Sequence, residues 1–194
     1  MKVAVIKYNA GNVASVVNAL KRIGAEPLVS DDPETIAQSD RVIFPGVGEA
    51  STAMSYLRDR KLDELIKRLT QPVLGVCLGM QLMCAYSEEN STECLGLFPT
   101  TVRRFVADGL KVPHMGWNTI ANARSRLFDG VREDSYVYFV HSYYLESTPD
   151  TIAESRYGAD FAAAIARNNF YAVQFHPEKS GVVGERILEN FLRI

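Results

Sequence analysis

The sequence predicts an α/β fold, with a mostly parallel central sheet, helices on both faces and an antiparallel extension. Three observations carry that expectation. Short apolar runs alternate with amphipathic stretches through the first third, a glycine-flanked turn joins an apolar run to a helix at Cys77, and strand-like runs dominate after Ser87. Alternation of the first kind implies parallel strands covered on both sides, with reactive groups gathered at their C-terminal ends.

In order, KVAVIKY reads as a strand. A helix from Val13 follows, because Val13, Val16, Val17, Leu20 and Ile23 make one apolar stripe and Gly24 supplies its stop. Pro27 to Val29 is a short strand, and Asp31 or Asp32 ahead of Pro33 starts the next helix. Arg41 to Phe44 is a strand, PGVG a loop, and Glu49 to Arg60 a helix; Leu62, Leu65, Ile66 and Leu69 form a further amphipathic face. Pro72 to Val76 reads as a strand and Leu78 to Ala85 as a helix. The runs LFPTTVRRF, YVYFVHSYYLES, FAAAIARN and FYAVQF are expected to be antiparallel strands extending or flanking the sheet, before a final helix over Val182 to Leu192.

With 194 residues, 47% apolar and 23% charged, the chain is expected to form one domain over residues 1–194. A formal charge of -2 gives no support to nucleic-acid binding. No apolar stretch is long enough to span a bilayer, and the first one, interrupted at Lys7, is too short for a secretory signal, so a cytoplasmic protein is expected. Cys77, Cys84 and Cys94 form no CxxC pair, which argues against disulfides and against zinc; no metal or cofactor is expected.

In GVCLGMQ, Cys77 sits on a strand-to-helix turn with Gly75 and Gly79 two positions to either side. Such a turn exposes a nucleophile, and a helix N-terminus favours a thiolate. In YAVQFHPE, His176 ends an alternating strand and Glu178 follows two residues later. Pro177 disfavours helix at His176, so an extended backbone is expected to set both side chains on one side. His176 is then a general base for Cys77 and Glu178 its orienting carboxylate. For a tetrahedral oxyanion, the N–H groups of Leu78 and Val47 are the candidate donors; Gly46 and Gly48 let the Val47 peptide rotate.

Together these motifs resemble the class I, or triad, glutamine amidotransferases across essentially the whole chain. KVPHMGWN, FVHSYY and YNAGNVASV narrow the resemblance to the glutaminase subunits of imidazole glycerol phosphate synthases. That resemblance implies L-glutamine as substrate, held by Gly46, Gly48, Gln81, Glu89, Ser142 and Tyr143, with His141 structural or part of the pocket. It also implies a (β/α)8-barrel cyclase as partner, docked on Asn12, Pro113, Met115 and Trp117. Trp117 in the chain's own core is the alternative. Ending directly after its last apolar helix, the chain is expected to be a separate subunit. One departure lies in the first loop, where Lys7, Tyr8 and Asn9 stand in place of the family's Asp-Tyr-Gly. Competing readings are a glutaminase of another pathway, a binding module with a decayed triad, and a free-standing hydrolase of γ-glutamyl compounds.

Overall fold

The computed structural model describes residues 1–8, 12–106 and 109–194, so Asn9 of the departing loop lies outside the described residues. The first half alternates strands and helices: β1 (Val3–Ile6), α1 (Val13–Arg22), β2 (Pro27–Ser30), α2 (Pro33–Ala37), β3 (Arg41–Phe44), α3 (Ala50–Asp59), α4 (Leu62–Arg68), β4 (Val73–Val76) and α5 (Leu78–Leu82). Beyond it come β5 (Cys84–Ser87), β6 (Thr92–Glu93), β7 (Phe98–Arg104), β8 (His114–Ile120), β9 (Ser135–His141), β10 (Tyr143–Leu145), β11 (Thr151–Tyr157), β12 (Ala159–Arg167), β13 (Phe170–Val173) and α6 (Gly181–Arg193).

The main sheet runs β11-β12-β13-β4-β3-β1-β2, parallel from β13 to β2 and antiparallel in β12 and β11. Successive strand residues face opposite sides. Val3, Val5, Ile43 and Leu74 therefore pack with α1 and α6 through Val16, Leu20, Ile187 and Phe191. Ala4, Ile6, Val42 and Val73 face the other way, toward Ile36, Leu57, Leu62 and Ile66 of α2 to α4. Helices cover both faces, as expected. A second sheet, β10-β7-β5-β6, and the antiparallel pair β8-β9 flank the first.

Two expectations are corrected. FYAVQF was expected to be antiparallel, but β13 lies parallel beside β4, with Val173 opposite Val76. Its run is apolar enough to sit between two strands, the usual place of a parallel strand buried on both faces. The helix after Cys77 stops at Leu82 and not at Ala85, because Cys84 to Ser87 pair with β7 and β6 in the second sheet.

Candidate active site

Cys77 follows β4 directly, with φ 52° and ψ -107°. A positive φ on a non-glycine residue stores about 1–3 kcal/mol of strain, and close packing holds it. A Cβ at Gly79 would collide with the Phe44 carbonyl, and one at Gly46 would stand 2.5 Å from Tyr8 Oη and 2.7 Å from Gly79 N. The Tyr8 hydroxyl in turn donates to the Pro45 carbonyl. Burial, with the Cys77 sulfur adding to it, raises the Tyr8 phenol well above its ordinary range.

Because β13 lies beside β4, His176 comes to the same sheet edge. The Cys77 N–H donates to Val173 O at 2.8 Å and the His176 N–H to Tyr138 O at 2.9 Å. His176 Nδ1 lies 2.7 Å from Glu178 Oε1, and both side chains are almost wholly buried. A carboxylate there makes Nδ1 the donor and leaves Nε2, which has no hydrogen-bond partner among the described residues, for the sulfur. Burial lowers the imidazole pKa, but the Cys77 sulfur and Glu178 outweigh it and raise it to about 10.

The contact between His176 and Glu178 is not made by extended backbone. Pro177 to Lys179 form one turn of 3-10 helix after an extended His176, and Lys179 N–H closes it on His176 O at 3.0 Å. Proline's fixed φ suits the first position of a helical turn as well as a strand.

The sequence profile described as Glutamine amidotransferase class-I matches residues 4–194. The chain belongs to the class-I glutamine amidotransferases. It is 58% identical to imidazole glycerol phosphate synthase subunit HisH of a Bacteroides fragilis strain, and 47% identical to the protein of the same name from Escherichia coli K12. Both alignments extend over 196 residues and cover 100% of each chain. A protein from Thermoplasma acidophilum, assigned to GMP synthase, shares the fold with a TM-score of 0.76 at 21% identity, covering 100% of this chain and 92% of that one. A solved glutamine amidotransferase does so with a TM-score of 0.76 at 20% identity, covering 98% and 97%.

In this glutamine amidotransferase a pocket of about 280 Å³ opens at the sulfur. Among the expected site residues, Val47, Gly48, Cys77, Leu78, Gln81, Glu89, Ser142 and Tyr143 line it, with His141 and Pro113. Gly46 packs beneath the elbow instead, and its carbonyl accepts the Leu78 N–H at 3.3 Å. The Gly46–Val47 peptide is trans, so its N–H points away from the side where its oxygen lies. Leu78 is thus engaged and Val47 averted. Glu89 Oε2 accepts the Ala50 N–H at 2.7 Å, and burial raises its pKa.

Asn12, expected on a docking surface, instead turns its side chain inward. Its Nδ2 donates to Glu178 Oε1 at 2.5 Å, on the same oxygen that meets His176. Met115 and Trp117 are exposed at 62% and 56%, which decides against Trp117 as core. They share the outer face of the β8-β9 pair with their cross-strand partners Val140 and Tyr138. Lys179 Nζ sits 5.8 Å from the Tyr138 ring centroid. Sequence reasoning missed Gln174 and Val140, which flank the sulfur at 3.6 and 3.7 Å. QFHPE offered Gln174 in plain view, but a lone buried amide carries no catalytic pattern.

Proposed function

We propose that the chain is the glutaminase subunit of an imidazole glycerol phosphate synthase, hydrolysing L-glutamine and passing the ammonia to a cyclase subunit in histidine biosynthesis. One observation carries the chemistry: Cys77 lines the pocket beside His176, which is backed by Glu178. Full-length identity of 47–58% to subunits of that name supports the pathway.

Cys77 Sγ attacks the side-chain carboxamide carbon, and the carbonyl electrons move to an oxyanion. Collapse expels the nitrogen, which takes the proton that His176 holds and leaves as ammonia. A glutamyl thioester remains. Forming it removes the thiolate charge that kept the imidazole protonated, so the neutral ring can accept a proton from the hydrolytic water. Glutamate departs as the thiolate re-forms. Cys77→Ala should nearly abolish hydrolysis in a glutamate-release assay; activity within tenfold of wild type would overturn the assignment.

The resting peptide explains a partner's use. Turning Gly46–Val47 over would free Leu78 N–H and aim Val47 N–H at the oxyanion, and one such donor is worth on the order of 100- to 1000-fold. The occupant of the Met115–Trp117 face is the (β/α)8-barrel cyclase, since Trp and Met beside aromatic neighbours make anchor chemistry and the carbonyl of Val140, the cross-strand partner of Met115, lies 3.7 Å from the sulfur. Titrating a ligand-loaded cyclase should raise glutaminase turnover by about two orders of magnitude, and Trp117→Ala should need far more partner to reach it. Equal rates with and without partner would refute the closed resting state.

A further inference from the structure

We propose that Gln174 takes part in glutamine hydrolysis by donating its side-chain N–H to the Cys77 sulfur, fixed in that orientation by Gln81 and the Tyr143 carbonyl. The proposal rests on Cys77 being the nucleophile.

Gln174 follows β13 and is fully buried, its backbone N–H tied to Ala163 O at 2.8 Å. Its side chain bridges two partners: Oε1 lies 3.1 Å from Gln81 Nε2, and Nε2 lies 3.6 Å from Cys77 Sγ. The chain of bonds has only one direction. A peptide carbonyl can only accept, so the Gln81 atom 3.1 Å from Tyr143 O is its nitrogen. The same nitrogen faces Gln174, which must present oxygen there and therefore turns its NH2 to the sulfur. Tyr143 O is itself held, because His141 Nδ1 donates to it at 2.7 Å.

The sulfur also meets the Val140 carbonyl at 3.7 Å, an acceptor to which the thiol S–H can donate. Gln174 supplies the donor. An anion in a buried site needs such donors, and an amide N–H gives a hydrogen bond without surrendering its proton. It serves the attacking thiolate and again the thiolate that leaves on thioester hydrolysis. Among the described residues, the titratable groups facing the sulfur are His176 and Tyr8, with His141 and Glu89 elsewhere in the pocket lining.

The test measures iodoacetamide alkylation of Cys77 in the full chain against pH, located by peptide mass, alongside kcat and KM for glutamine. Gln174→Met keeps the volume and removes the donor. Its alkylation midpoint should rise by roughly one pH unit, with kcat down about tenfold at little-changed KM. Gln81→Met does not touch the sulfur, yet should shift the midpoint the same way by less, and the double variant should go no further than Gln174→Met. A folded Gln174→Met with the wild-type alkylation profile, or with only KM raised, would overturn the proposal. If Gln174→Met does not fold, an unshifted Gln81→Met overturns it. Wild-type enzyme that still hydrolyses glutamine after full alkylation of Cys77 would instead overturn the nucleophile assignment.

Discussion

His176 and the His114–His141 pair are equally buried, with exposures of 1%, 4% and 5%, yet they titrate in opposite directions. His176 faces a carboxylate and a sulfur and keeps its proton to about 10. The other two face each other across β8 and β9, Nδ1 of His114 3.0 Å from Nε2 of His141. His141 Nδ1 lies 2.7 Å from the Tyr143 carbonyl and must donate to it, so its Nε2 accepts from His114. His114 also stacks on Tyr157, their ring centroids 4.0 Å apart. Burial pushes these imidazoles down to about 4 for His114 and about 3 for His141. Burial alone disfavours the charged ring; only anionic neighbours reverse it. One sheet edge therefore holds a protonated imidazole and, nearby, a neutral pair of which His141 lines the pocket.

The sharpest way to break the contrast is Glu178→Gln, which keeps shape and removes charge. Loss of the orienting carboxylate should cut kcat by roughly a hundredfold or more and move the alkaline limb of the rate profile to lower pH, read by glutamate release from pH 6 to 10. Asn12→Ala is the milder version. It removes one of the bonds to Glu178 and should cost about tenfold in kcat, with KM little changed.

Stability against pH sharpens the contrast from the other side. For the neutral pair, the unfolded chain binds protons below about pH 6.5 that the folded pair refuses until about 4, so stability falls as pH drops through that interval. For His176 the folded state holds a proton that the unfolded chain releases near 6.5. Its contribution is complete below 6.5 and is lost as pH rises toward about 10. Urea unfolding should therefore show a maximum near neutrality. His114→Phe should lower stability at pH 7 by about 1–3 kcal/mol, since it orphans His141 Nε2, and flatten the acid limb. Cys77→Ala should flatten the alkaline one.

Local pattern makes much of the molecule legible from residue order alone. The α1 stripe, the Asp32 cap that accepts the Thr35 N–H, the PGVG loop after β3 and the Cys77 turn all follow from residue spacing and backbone chemistry. Cys77, His176 and Glu178 could be nominated because a thiol, an imidazole and a carboxylate each stand at a recognisable turn, and the structure brings the three together. Less legible were elements whose conformation depends on distant partners. Cys84 and Ala85 carry a helical pattern but become strand because β7 is there to pair with them. Asn12 looks like a surface residue until Glu178, far along the chain, is folded against it.

By itself, then, the sequence determined the βα alternation, the elbow, and the kinds of groups proposed for the chemistry, because spacing and local sterics act within a few residues. Only the tertiary structure decided that β13 enters parallel beside β4, that Leu78 N–H is occupied by Gly46 O, and that Gln174 points its amide at the sulfur. Each of these is a pairing across the fold. Its energy comes from burying one polar group against another, and nothing in the local sequence of either partner names the other.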